Sequence, residues 1–122
     1  MRRHTLRFET ARGPQALDIL IAATARERMR GLLGRAPLQA FEAMLLRSCR
    51  LIHTVGMGYP LDLVYLRRDG TVLKVTAALP ARRIDGHWRA HSVLEMAAGM
   101  AARCGIRAGE RLPLAQLEYG HA

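Results

Sequence analysis

Asp69-Gly70 stands between two apolar runs, Leu61 to Arg67 and Thr71 to Ala77, and no other feature constrains the fold of this chain as tightly. Glycine after aspartate accepts the positive backbone angles of a tight hairpin turn, and the flanking runs have the length of strands, so the spacing predicts an antiparallel hairpin. More strands follow from the same reasoning. Leu6 and Phe8, then Leu17, Ile19 and Ile21, alternate at period two around Gly13-Pro14, which predicts two strands joined by a turn there. Ala43 to Leu46 reads as a short buried strand, Val93 to Met96 as another, and Arg111 to Leu114 as a last one before a polar tail, Gln116 to Ala122. Pro60 closes the segment ahead of Leu61, because it lacks an amide hydrogen and fixes its own backbone angle.

Helical signals are few. Thr24-Ala25-Arg26-Glu27 has the form of a capping box, Met29, Leu32 and Leu33 follow at helical spacing, and Gly34 can supply a left-handed stop, so a helix is expected over about residues 25 to 33. Gly99 to Arg103 suits a short helix ended by Gly105. Residues 79 to 91 mix turn formers with charges and read as an exposed loop, with Trp88 available to fold back onto the body. These elements give a mainly β fold, α+β by content, with one or two short helices.

A chain of 122 residues has the size of a single domain, 1–122, and folding can bury roughly two-thirds of its surface without staples. Half its residues are apolar and a quarter charged, as in a globular protein. No apolar run reaches the roughly 20 residues of a membrane span. The N-terminal residues, Met1 to Phe8, carry charge but no secretory apolar stretch, so a cytoplasmic location is expected, with Cys49 and Cys104 as reduced thiols. The net charge of +9 invites a nucleic-acid reading. Against it, all but one of the basic residues are Arg, Lys74 being the exception, and they are scattered as singles and pairs with few aromatics between them to stack on bases. The Arg, Ala, Leu and Gly bias is what codon usage in a GC-rich bacterial genome produces.

Glu27-Arg28-x-x-Gly31-Leu32, then Ile52-His53-Thr54-x-Gly56-Met57-x-x-Pro60-Leu61-Asp62-x-Val64, then the Asp69-Gly70 hairpin, then Leu94-Glu95-x-x-x-Gly99 and Gly105-Ile106-x-x-Gly109-Glu110 fall in a recognisable order. The chain resembles the family called domain of unknown function 192 over about residues 15 to 115. That resemblance implies a compact two-sheet β-sandwich or jelly-roll-like barrel, and it implies no reaction, so the cofactor is unknown. The Cys49-to-Met57 stretch departs from the commonest form of the family, an aromatic-rich Trp-Met-Lys-Asn-Thr segment, and resembles a subgroup.

Cys49 to Asp62 carries most of the chemistry, gathering a thiol, an imidazole, a thioether and a carboxylate around a Gly/Pro-rich bend. Cys49, His53 and Met57 recur every fourth residue and could ligate zinc or copper, with His91 as a further ligand. In an extended strand such residues lie about 13 Å apart, so a metal site is not favoured. Arg47 and Arg50 beside Cys49 would favour its thiolate, with His53 as base. The plainer readings are a buried small hydrophobe at Cys49 and loop hydrogen bonds from His53 and Thr54. Asp62 and Glu95 interrupt apolar strands, and Arg28 or Arg30 is expected to pair with them across the helix-to-sheet contact. No complete catalytic constellation assembles. The sequence therefore favours a ligand-binding or accessory module with its site at loop 49–62 (Cys49, His53, Thr54, Met57, Asp62), serving an unidentified small molecule or protein partner. A metal- or thiol-dependent enzyme using Cys49 and His53 is the alternative, and a basic nucleic-acid-binding protein the second alternative.

Overall fold

The computed structural model describes residues 2–22, 24 and 36–119. The strands in chain order are β1 (Arg2–Thr10), β2 (Gly13–Ala22), β3 (Glu42–Arg47), β4 (Leu51–His53), β5 (Leu61–Leu66), β6 (Val72–Leu79), β7 (Ile84–Gly86) and β8 (Ser92–Ala97). Two short helices follow, α1 (Met100–Arg103) and α2 (Ala115–Tyr119). Six strands make one sheet in the order β1-β2-β3-β8-β5-β6, and β4 with β7 makes a separate two-stranded ribbon. Within the large sheet β2 and β3 run parallel and every other pair antiparallel. The fold is thus mainly β with two sheets, and its described strands do not close into a barrel, since β1 and β6 remain as edges.

Alternation along the strands sends apolar side chains to both faces of the large sheet. Ala43, Leu45, Val64, Leu66, Leu94 and Met96 join one cluster, together with Met100, Ala101 and Ile106 from the C-terminal segments. Their sequence neighbours Met44, Leu46, Leu63, Tyr65 and Val93 join a second cluster on the other face, where the ribbon contributes Ile52. Burial on both faces explains why β3, β5 and β8 read as continuous apolar runs.

The sheet edges are covered. The Gln116 side chain both accepts from the Arg7 amide, at 3.1 Å, and donates to the Arg7 carbonyl, at 3.0 Å, which blunts β1. On β6, the Val72 amide donates to the Glu110 carbonyl, and the Val72 carbonyl accepts in turn from the Gly109 amide. The Asp69-Gly70 hairpin forms as expected, with Gly70 at φ 92°. A Cβ at Gly70 would stand 2.0 Å from the Leu112 carbonyl oxygen, so this turn needs glycine for space as well as for backbone angle.

Three local expectations are corrected. The first turn is at Ala11-Arg12, and Gly13-Pro14 opens β2. Pro14 is tolerated because β3 pairs only with residues 18 to 22, which leaves one side of β2 open at that position. Residues 79 to 91 are not all loop, since Ile84–Gly86 pairs with β4, and Trp88 projects outward at 74% exposure. Arg111 to Leu114 contributes a single bridge, Thr71 to Arg111, and Ala115–Tyr119 is helical because Leu117 can be buried against the sheet. The helix expected over residues 25 to 33, with Arg28 and Arg30, lies outside the described residues.

Candidate functional site

A pocket of about 330 Å³ opens where three distant segments meet on the α1 face of the large sheet. The β1–β2 turn supplies Ala11 and Arg12, strands β5 and β6 supply Asp62, Val75 and Ala77, and α1 with the following turn supplies Ala101, Ala102, Ile106 and Arg107. Its walls are therefore mostly apolar. Arg12 and Arg107 are exposed and belong to its lining. Arg107 reaches Glu110 at 3.3 Å, while Arg12 makes no ion pair among the described residues.

Asp62, 1% exposed, is what ties these segments together. Its Oδ1 accepts from the Ala78 amide at 2.8 Å and its Oδ2 from the Ala101 amide at 3.0 Å. Ala78 has φ 50°, and at this point the β5–β6 pairing slips by one residue between Leu61/Leu79 and Leu63/Thr76. The carboxylate thereby holds a β-bulge in a left-handed conformation that alanine adopts only under such constraint. With both oxygens engaged by backbone amides, Asp62 is a structural pin in the pocket. The Arg28 half of the expected ion pair lies outside the described residues.

The rest of the Cys49-to-Asp62 stretch faces the other way. Cys49, Met57 and Tyr59 pack against the second apolar cluster, and His53 is exposed on the ribbon beside its cross-strand partner Ile84. The Cys49 thiol lies 3.4 Å from the Leu51 carbonyl, and the Cys49 amide donates to the His91 carbonyl at 3.1 Å. Among the described residues no cluster of three or more His, Cys, Asp or Glu side chains could hold a metal ion. Thr54 is buried and works as a clamp. Its hydroxyl donates to the Pro80 carbonyl at 2.7 Å and accepts from the Arg83 amide at 2.9 Å, and its own amide donates to the Arg83 carbonyl at 2.9 Å.

A polar cluster that sequence reasoning missed joins the ribbon to the large sheet. The Tyr65 hydroxyl donates to Asp85 Oδ2 at 2.6 Å, the Thr76 hydroxyl to the same oxygen at 2.8 Å, and the Lys74 ammonium reaches Asp85 Oδ1 at 3.3 Å. Burial pushes the Asp85 carboxyl up, yet the hydrogen bonds from Tyr65, Thr76 and Lys74 outweigh it and hold the group below its ordinary value. Burial and the Asp85 charge push the Tyr65 phenol well above its ordinary value, so Tyr65 is a fixed donor. The available signal was Tyr65 within an apolar strand, paired in register with the sole lysine of the chain, Lys74.

Glu95 lies on this second face, opposite Met44 and Leu63, and is 5% exposed. Among the described residues nothing donates a hydrogen bond to it. Burial alone pushes its carboxyl up to about 7. Among the described residues the buried Tyr59 hydroxyl also lacks a hydrogen-bond partner, although it faces the Leu38 backbone.

The sequence profile of the DUF192 family, described as an uncharacterized ACR, matches residues 7–114. The chain belongs to the DUF192 family. Two solved structures share its fold. A protein of unknown function from Novosphingobium aromaticivorans DSM 12444 is 22% identical with a TM-score of 0.79, over 89% of this chain and 83% of that one. A putative transcription regulator from Sinorhizobium meliloti 1021 is 24% identical with a TM-score of 0.81, over 91% of this chain and 92% of that one. No curated protein matches this DUF192 chain significantly.

Proposed function

We propose that this chain is a single-domain binding module that takes a small amphiphilic anion, such as a medium-chain carboxylate, into the pocket above Asp62. The observation that carries the reading is the combination of apolar walls with the exposed Arg12 and Arg107 in the lining of a cavity of about 330 Å³. Concave apolar sites with a few convergent polar groups are the usual form of a small-molecule site. An apolar tail would lie against Val75, Ala101 and Ile106, and a carboxylate would meet the two guanidinium groups, which suit bidentate contact. Asp62 already accepts two backbone hydrogen bonds, so the pocket offers binding without a free base. The site takes one residue of loop 49–62, Asp62, and leaves Cys49, His53 and Met57 out.

A cytoplasmic location belongs to the same proposal. Support comes from Cys49 and Cys104, which lie on opposite faces of the sheet and so do not bridge each other.

Calorimetric titration with decanoate tests the reading. One molecule should bind per chain, and Ala77→Phe, which places a ring in the pocket from an exposed strand position, should weaken binding roughly tenfold or more while leaving the far-UV spectrum unchanged. Arg12→Ser should weaken carboxylate binding more than binding of decanol. Equal affinity in the plugged, folded variant would overturn the proposal.

A further inference from the structure

The outer face of the β4–β7 ribbon is apolar and basic at once. Alternation turns Ile52 and Asp85 inward, where Ile52 joins the second apolar cluster and Asp85 is held by Tyr65, Thr76 and Lys74. Their neighbours are turned outward. Leu51 is 67% exposed and Ile84 73%, with Val55 at 57% and Trp88 at 74% on the adjoining turns. Four of the five exposed large apolar side chains among the described residues thus lie on this one small structure, Phe41 being the fifth. Surface apolar residues are ordinary when scattered, and a cluster of them marks a contact surface.

Cations surround the cluster. Arg50, Arg82, Arg83 and Arg89 are all exposed, and among the described residues none of them makes an ion pair. Arg50 reaches the Trp88 carbonyl at 3.4 Å, and the Arg89 guanidinium lies 4.7 Å from the Trp88 ring centroid. The ribbon's one carboxylate, Asp85, faces inward, so the outer face carries positive charge with no acid to offset it. The presentation is firm, because the Thr54 clamp fixes the turn after β4 to the segment before β7.

We propose that this face docks on an anionic lipid bilayer, with Leu51, Val55, Ile84 and Trp88 entering the headgroup and upper acyl region and the four arginines contacting lipid phosphates. Size and chemistry select that partner. A ribbon three residues long spans about 10 Å, too little for the roughly 800 Å² per partner of a stable protein interface, whereas insertion into a bilayer requires only protruding side chains. Aliphatic Leu51, Val55 and Ile84 offer no stacking platform for bases, and one face of the single aromatic is taken by Arg89. Tryptophan is at home at the headgroup level, and exposed arginines add attraction to anionic lipid.

Trp88 is the sole tryptophan of the chain and reports directly on the event. Vesicles of phosphatidylglycerol and phosphatidylcholine should co-sediment the protein and shift Trp88 emission to the blue, while vesicles of phosphatidylcholine alone should do neither. The double variant Leu51→Ser/Ile84→Ser, altered only at exposed positions, should lose roughly tenfold or more in vesicle affinity with unchanged thermal unfolding. Arg82→Ser/Arg83→Ser should remove most of the preference for anionic vesicles, and Ala77→Phe in the pocket should leave docking intact. Absence of a Trp88 shift with anionic vesicles at low salt would overturn the proposal. So would vesicle binding unaffected by Leu51→Ser/Ile84→Ser, which would reduce it to the general attraction of a +9 chain. Ribbon-dependent retention of RNA, or ribbon-dependent dimerisation, without insertion into vesicles would assign the face to those partners instead.

Discussion

Asp62 and Glu95 lie on adjacent strands one register step apart, Asp62 opposite Met96 and Glu95 opposite Leu63, yet on opposite faces of the same sheet. Both are almost completely buried, at 1% and 5% exposure. On the α1 face two backbone amides were brought to the carboxylate, one by a strained bulge residue and one by a helix, and the group serves as a pin. On the ribbon face no donor meets Glu95 among the described residues, and desolvation lifts it to about 7. Equal burial therefore leaves one carboxyl held by two backbone amides and the other raised by desolvation. What separates them is the supply of backbone hydrogen bonds, which depends on tertiary structure.

Removing the pin should have the largest effect. Asp62→Ala leaves the Ala78 and Ala101 amides without their acceptor and should cost about 4 kcal/mol in urea unfolding. Asp62→Asn, which keeps one acceptor oxygen, should fall between it and the wild type.

Glu95 should respond to pH in a defined direction. Its folded value lies above its ordinary 4.5, so the native state holds the proton more tightly than the unfolded chain. Stability from this group is complete below about 4.5, falls as pH rises toward about 7, and stays lost above that. Glu95→Gln should therefore raise stability at pH 8 by on the order of 2–3 kcal/mol and change little at pH 4. Urea unfolding of both proteins across that range checks it, and a gain independent of pH would contradict the contrast with Asp62.

Tyr65→Phe should have the smallest effect. Asp85 keeps its bonds from Thr76 and Lys74, so the loss should be about 1–2 kcal/mol, measured as a lower thermal midpoint.

Local signals made much of the fold legible. Asp69-Gly70 between apolar runs located the β5–β6 hairpin, period-two alternation located β1 and β2, and short apolar runs located β3 and β8. Where a strand was three residues long, as at Ile84–Gly86, no period could be counted, and where Pro14 entered a half-open strand it imitated a turn. The site was less legible because its parts are far apart in sequence. Arg12, Asp62, Ala77 and Ile106 meet only once the sheet is assembled, and the Tyr65–Asp85 bond spans 20 residues. Loop 49–62 looked like one site because its chemistry is contiguous along the chain. Strand β5 divides it, sending Asp62 to one face while Cys49 and Met57 pack on the other.

The division of labour between the two faces can be tested directly by following backbone amide NMR signals during titration with decanoate. The account predicts shifts concentrated at Arg12, Ala77, Ala101 and Ile106, with Leu51, His53 and Ile84 on the ribbon unmoved. Shifts confined to the ribbon or to the neighbourhood of Glu95, with the α1 face silent, would contradict it.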